Sequence, residues 1–317
     1  MSRRRKKKQH PLRVLLSVLG ALVVLFCCVV TLNDTMQLPF IPTWDELYVQ
    51  FGLRENIELP DSQLRIKVLD VGNADAILLQ NGDRFALIDA GERDDGEELV
   101  AFFNRVGITK LDYVIATHPD ADHIGGMADV INGMEVGTFL MPFMPEGYEP
   151  TTRVYENMLL ALVEKNIKPI DPSYGDSFTF GDARIDILSG LLESTETNEQ
   201  SIVCRIVFGN HRFLMMGDAG KEVEESLLSA GADLRADVIK VGHHGSRSSS
   251  TDEFIRAVSP KYALITCGLG NTYNHPHGET MDTLRKYNVS VFRNDMHGEI
   301  TLISDGKTIT TETEKGR

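Results

Sequence analysis

The chain has 317 residues, 42% hydrophobic and 25% charged, enough for one large α/β domain or two small ones with a buried core. Its net charge of -14 hides an asymmetry: residues 1–13 carry Arg3, Arg4, Arg5, Lys6, Lys7, Lys8 and Arg13 with no acid, so the remainder has 25 basic against 46 acidic residues. That remainder, at -21, is excluded as a broad basic surface for a polyanion.

Val14 to Leu32 is an uncharged, almost wholly apolar run of 19 residues. As a helix rising about 1.5 Å per residue it would extend about 28 Å, close to the hydrocarbon thickness of a bilayer. The basic cluster on its N-terminal side predicts a single-pass membrane protein with a cytoplasmic N-terminus and everything after Asn33 outside the cell. A cleaved signal peptide is the competing reading, but Val29-Val30-Thr31-Leu32 lacks the small-x-small pattern of a cleavage site. The expected organisation is a basic tail at 1–13, a transmembrane helix at 14–32, an extracellular stalk at 33–62 and a globular domain at 63–317. In the stalk, Pro39, Pro42 and Pro60 leave room for one short helix over Trp44 to Leu53.

In the domain, Leu64, Ile66 and Val68 alternate with Arg65 and Lys67 and predict a half-buried strand. A hairpin turns at Asn81-Gly82-Asp83, and a helix carrying Leu99, Phe102, Phe103 and Val106 stops at Gly107. A strand over Leu111–Ala116, a helix over Ile124–Asn132, a strand near Val136–Met141 and a helix near Val154–Lys165 follow. The second half alternates again: strands over Ser201–Phe208 and Arg212–Met216, a helix over Lys221–Ser229, a strand over Val238–Val241, a helix over Asp252–Val258, a strand over Tyr262–Cys267 and a helix over Thr280–Tyr287. Strand-rich halves with amphipathic helices predict two sheets packed face to face between helical layers. Cys204 and Cys267 fall inside apolar strand-like runs and are expected as buried thiols, since a domain of this size needs no disulfide.

The chemistry concentrates at the ends of these strands. Thr117-His118-Pro119-Asp120-Ala121-Asp122-His123-Ile124-Gly125-Gly126 places four metal-ligand side chains within six residues, directly after an apolar strand. Imidazole and carboxylate are the usual ligands of zinc and its first-row neighbours, and a catalytic site keeps a position open for water. Three further strands end in polar loops: Gly217-Asp218, Gly242-His243-His244-Gly245-Ser246, and Asn271 to His277 with Asn274, His275 and His277. Each loop alone is weak, but four His/Asp loops at four strand ends in one domain point to one metal centre.

Seven blocks in order, Leu69 to Ala76, Leu87 to Gly91, His118 to Gly126, Asn198 to Ser201, Gly217-Asp218, His243 to Ser246 and His275 to His277, resemble the metallo-β-lactamase superfamily, and within it the ComEC-type branch of DNA-uptake competence proteins. The resemblance covers about Leu64 to Ser304. It implies a four-layer αββα sandwich binding one or two divalent ions, zinc or manganese. His118 and Asp120 would then face the first metal, Asp122 and His123 the second; Asp218 would bridge, and His243 would complete the second. Two departures stand out. Asp120 replaces a histidine more common in the superfamily, which hardens the site towards manganese or magnesium. The histidine that usually reaches the first metal from mid-domain has no counterpart; Asn198 is a neutral candidate, and His211 lies in a hairpin turn.

The expected function is hydrolysis of a phosphodiester, foremost DNA, by a metal-activated water, with Asp122, His244, Ser246, Asn274, His275 and His277 handling the phosphate and the leaving group. Asp75 and Asp89 would orient ligating histidines from outside the ligand shell. Hydrolysis of an amide or ester, β-lactams included, is the alternative within enzymes, and a polymer-binding module without catalysis is the alternative outside them. The acidic surface argues against long-range attraction of DNA, so contact must be local and metal-assisted.

Overall fold

The computed structural model describes residues 11–36, 38, 41–44, 47–48, 59–60 and 62–316. The basic cluster at 3–8 and most of the helix expected over Trp44 to Leu53 lie outside the described residues. The chain divides into two compact units, one centred on the N-terminal helix and one holding all the strands. Each is described by itself.

In the first, α1 runs from Pro11 to Met36. Its stretch Val14–Asn33 is long and apolar enough to cross a membrane, and its side chains are largely exposed. Beyond it Asn33 is buried, its Oδ1 accepting from the Leu38 amide at 2.7 Å and its Nδ2 donating to the Ile41 carbonyl at 2.6 Å, so one side chain closes the turn leaving the helix.

The second unit is built on two seven-stranded mixed sheets. The first comprises β1 (Leu64–Val68), β2 (Ile77–Asn81), β3 (Arg84–Ile88), β4 (Lys110–Ile115), β5 (Glu135–Leu140), β13 (Ile300–Ser304) and β14 (Ile309–Thr313), in the order β14-β13-β1-β2-β3-β4-β5. The second comprises β6 (Ser177–Phe180), β7 (Ala183–Ile187), β8 (Cys204–Phe208), β9 (His211–Met215), β10 (Val238–Lys240), β11 (Tyr262–Ile265) and β12 (Ser290–Arg293), in the order β12-β11-β10-β9-β8-β7-β6. Alternation in β1 and β8 sends Leu64, Ile66, Val68, Cys204, Ile206 and Phe208 into one shared core between the sheets. This confirms the expected αββα layering. The hairpin β6–β7 is an addition that the reading above does not contain, although Ala183-Arg184-Ile185-Asp186-Ile187 alternates cleanly in burial.

Helices cover the outer faces: α2 (Asp95–Arg105), α3 (Ala121–Ile124), α4 (Met127–Gly133) and α5 (Arg153–Glu164) in the first half, α6 (Lys221–Ser229), α7 (Asp252–Val258), α8 (Gly278–Lys286) and α9 (Asn294–His297) in the second. The helix expected across Ile124–Asn132 is broken in two at Gly125-Gly126. A Cβ on Gly125 would overlap the Arg93 backbone nitrogen, and one on Gly126 the Ala90 carbonyl, so only glycine lets this turn lie against the segment after β3. Cys204 and Cys267 are buried free thiols. His211 Nδ1 lies 2.7 Å from Ser304 Oγ, a tie between the two sheets away from the polar loops.

The first sheet has four antiparallel pairings and two parallel ones, the second three of each. β3, β4 and β5 run parallel in one, β9, β10, β11 and β12 in the other. The carboxyl ends of β4, β9, β10 and β11 each feed one of the four polar loops, and that of β3 leads into Asp89.

Candidate metal centre

Asp122, His123, Asp218 and His244 offer ligand atoms that all lie within 4.8 Å of one another. Asp122 and His123 sit on α3, one turn after β4; Asp218 follows β9; His244 follows β10. His123 Nε2 is 3.2 Å from Asp218 Oδ1 and 3.3 Å from His244 Nε2. His244 Nε2 is in turn 3.3 Å from Asp122 Oδ2 and 3.4 Å from Asp218 Oδ2. His118 packs on the other side of His123, ring centroids 4.1 Å apart, and its own Nε2 is 3.8 Å from Asp120 Oδ2.

The surroundings fix which nitrogen each imidazole turns to this centre. Asp89, fully buried at the end of β3, accepts from the Thr117 amide and from the Thr117 hydroxyl, both at 2.7 Å. Its Oδ2 also takes the Nδ1 proton of His123 at 2.7 Å. With its hydroxyl proton committed to Asp89, Thr117 Oγ1 can only accept from His118 Nδ1, 3.1 Å away. His244 Nδ1 donates to the Thr266 carbonyl at 2.8 Å. All three rings therefore direct Nε2 inward, the arrangement in which carboxylates and carbonyls orient ligating histidines. Asp75 Oδ1 accepts from the Thr266 hydroxyl and its Oδ2 pairs with Lys240, and Asp75 and Asp89 also lie with His123 in a second group whose ligand atoms are within 4.8 Å of one another.

Lys240 is the functional residue that the sequence reading missed. It is fully buried, with Nζ 2.5 Å from Asp75 Oδ2, 2.9 Å from the Gly217 carbonyl and 3.6 Å from Asp218 Oδ1. The signal was present: one charged residue inside Val238-Ile239-Lys240-Val241, directly before the two histidines. Burial opposes its charge, but Asp75 and Asp218 outweigh that and raise its pKa.

The structure exchanges the positions expected for the two neighbouring histidines. His243 and His244 both have left-handed backbone, φ 48° and 51°, so the chain doubles back after β10 and swings the second side chain inward. His244 is buried among Asp122, His123 and Asp218, whereas His243 stays at the rim, with Nε2 3.9 Å from Asp218 Oδ2 and Nδ1 3.4 Å from Asn198 Nδ2. Asp120 is also at the rim, partly exposed. Ser246 Oγ accepts from the Ser248 amide and hydroxyl, which leaves its own proton as its remaining hydrogen-bonding group. His277 likewise accepts from the Arg247 amide and ties two loops together. Asn274 holds a left-handed backbone position, and His275 keeps a buried, unpaired Nδ1.

A divalent cation fits this donor set. His118 Nε2, Asp218 Oδ1 and Asn198 Oδ1 are buried with no hydrogen-bond partner, an unfavourable arrangement unless a cation accepts their lone pairs. Charge points the same way. Burial disfavours protonation of His123, yet Asp218, Asp89 and Asp75 raise its pKa well above the usual range. His244 is raised too, Asp218 and Asp122 outweighing its burial. Burial with His123 alongside pushes His118 down to about 3; Asp122, despite its own burial, is held at about 2 by His244 and His123. The carboxylates thus hold protons where a dication would sit, and His118 stays an unprotonated donor. His123, His244, Asp122 and Asp218 would hold one ion, with His118, Asp120 and Asn198 at the adjoining position.

The model of the metallo-beta-lactamase superfamily matches residues 69–268. The chain belongs to this superfamily. Among curated metallo-beta-lactamase relatives, ComE operon protein 3 of Bacillus subtilis is 33% identical over 205 residues, 64% of this chain and 26% of its own length. Competence protein ComA of Neisseria gonorrhoeae is 28% identical over 244 residues, 76% of this chain and 32% of its own length. These are ComEC-type competence proteins, and the chain spans only about a quarter to a third of their length. Among solved structures, CmlA, a diiron beta-hydroxylase from Streptomyces venezuelae, superposes with a TM-score of 0.51 at 14% identity, covering 83% of this chain and 60% of that one. At that identity the likeness speaks to the fold alone.

Proposed function

We propose that the chain is a membrane-anchored, metal-dependent phosphodiesterase acting on DNA outside the cell. The observation that carries this reading is the convergence of inward-facing Nε2 atoms and carboxylates from both sheets on one point, with three buried lone pairs unsatisfied. The oxygen-rich donor set, in which Asp120 and Asn198 stand beside His118, favours hard cations and the oxygens of phosphate over soft zinc chemistry. The competence relatives supply the nucleic-acid context.

A divalent ion, when bound, supplies electrophilic stabilisation of phosphate charge and acidifies water. Hydrolysis adds water across the ester: a P–O bond forms, the P–O bond to the leaving alcohol breaks, and that oxygen gains a proton. Asp89, Thr117 and Thr266 hold the histidines in one tautomer throughout. Asp120, a rim carboxylate with Oδ2 3.8 Å from His118 Nε2, would give one oxygen to the adjoining ion and keep the other to take a proton from water. His275 has the unpaired ring nitrogen among the side chains expected to meet phosphate. Burial, reinforced by His244 and His243, pushes its pKa down to about 4, so it meets the substrate as a neutral hydrogen-bonding group.

The anchor is Val14–Asn33, and the seven basic residues before it orient the domain outward. The test of function is initial rates for the full chain in detergent on single-stranded DNA, a small phosphodiester and a chromogenic β-lactam, with manganese or zinc. Phosphodiester cleavage faster with manganese and negligible β-lactam turnover are expected. Efficient β-lactam turnover beside inert phosphodiesters overturns the reading, and inactivity on all three with metal bound leaves a binding module. Protease added to intact cells should remove the domain while sparing a cytoplasmic control.

A further inference from the structure

Two flanks border the centre, and their chemistry is opposite. On one side, beyond Asp120, His243 and Asn198, opens a cavity of about 570 Å³ whose wall includes Glu193, Glu196, Glu199 and Glu222. Five carboxylates with Asp120, and no lysine or arginine, make that side hostile to the phosphates of a polyanion. On the other side lies the loop from Gly268 to His277. There Tyr273 is 64% exposed and Leu269 87% exposed, beside a site otherwise made of charge and imidazole.

This loop is rigidly held. Asn271 Nδ2 donates to the Gly268 carbonyl at 3.0 Å and to the His275 carbonyl at 2.7 Å, while its Oδ1 accepts from the His275 amide at 2.9 Å. The Tyr273 ring lies nearly parallel to His275, centroids 5.6 Å apart at 22°, and His275 lies nearly parallel to His244, 6.2 Å apart at 21°. A ladder of three rings thus runs from solvent to the metal centre. The outermost ring, Tyr273, is 64% exposed, which leaves it accessible to one more flat ring.

We propose that Tyr273 is the stacking platform for a nucleobase of the substrate, which seats the strand on the Gly268–His277 side and away from the carboxylate-lined cavity. The proposal rests on the phosphodiesterase reading for its substrate class. Stacking accepts any base, because every base has a π face, so this subsite selects nucleic acid without selecting sequence. Stacked on His275, in a loop that Asn271 pins at Gly268 and His275, the ring gives up little freedom on binding.

The test compares a thymidine dodecamer with its abasic tetrahydrofuran counterpart, using the full chain in detergent. Binding is read by fluorescence anisotropy with calcium and turnover with manganese. Tyr273→Ala is expected to weaken binding of the thymidine strand roughly 10-fold and that of the abasic strand not at all, with Tyr273→Phe restoring it. An equal loss on both strands, or no loss on either, overturns the platform. If wild type cleaves both strands and Tyr273→Ala leaves both rates and affinities unchanged, the platform fails while the phosphodiesterase stands. If wild type prefers the thymidine strand through Tyr273 but cleaves neither, the platform stands and the hydrolysis reading fails. Because Tyr273 is exposed, its variants should keep the wild-type melting temperature, which separates lost stacking from lost folding.

Discussion

The two sheets supply the candidate metal centre in different ways. The first gives His118, Asp120, Asp122 and His123 from one continuous loop, stiffened by a single carboxylate, Asp89, that grips Thr117 and His123 together. The second gives Asp218 and His244 from separate strand ends, brought into register by the parallel pairing of β9, β10 and β11. Its stiffening is distributed: Thr266 on His244, Lys240 on Asp75 and the Gly217 carbonyl, and Glu224 on the following turn. A continuous loop can keep its local shape when the sheets loosen, whereas the second half exists only while three strands hold register. The centre is therefore a clamp between a local element and a global one, and metal bound there should resist separation of the sheets.

Lys240→Met should produce the largest effect, because it leaves Asp75 buried without its cation. A loss of about 3–5 kcal/mol is expected in chemical denaturation. A loss below about 1 kcal/mol would show that the second half does not depend on this pair. Next, His244→Ala should lower manganese affinity by more than about 100-fold, measured by calorimetry, as removal of a direct ligand should exceed the effect of an outer partner. His243→Ala should cost less than about 10-fold, and the reverse order would return His243 to the inner position.

Asp89→Asn probes the local half. Loss of the negative acceptor behind His123 should reduce metal affinity about 10–100-fold while leaving the His244 side intact. The smallest effect is a slope with pH. Glu224 is buried on α6 and accepts from the Ser250 and Thr251 amides, and burial, opposed by those bonds, raises its pKa to about 7. The folded state then holds a proton that the unfolded chain, at 4.5, gives up. Stability from this group is present below pH 4.5 and is lost as pH rises through 7, by on the order of 1–2 kcal/mol between pH 5.5 and 7. Glu224→Gln should flatten that part of the thermal-melt profile.

The same contrast explains what could be read from the chain. His118, Asp120, Asp122 and His123 announce themselves because local spacing carries their meaning, and the strands around them follow from alternation. The choice between His243 and His244 was not legible, because it turns on two consecutive left-handed residues that neither histidine's identity demands. Lys240 was overlooked because a strand lysine is ordinarily solvent-facing; only the opposing sheet, which brings Asp75 to it, makes it internal. The turn bonds that Ser246 and His277 accept were not legible either, because they come from the backbone amides of Ser248 and Arg247 rather than from any side-chain pattern. The β6–β7 hairpin was legible and was passed over, its alternation lying between two stretches richer in chemistry.

The buried ammonium of Lys240 also bears on when the protein can mature. A ring of carboxylates with nothing to balance it would repel itself until an ion arrived, and folding would wait on the metal supply. Here one positive charge is encoded in the chain and already paired with Asp75 and close to Asp218. The domain can therefore close first and be loaded afterwards, in whatever compartment it reaches. Scarcity of metal would then silence the site without emptying the cell of folded protein, and a chelated sample should remain folded with a lower melting temperature that recovers when manganese is returned.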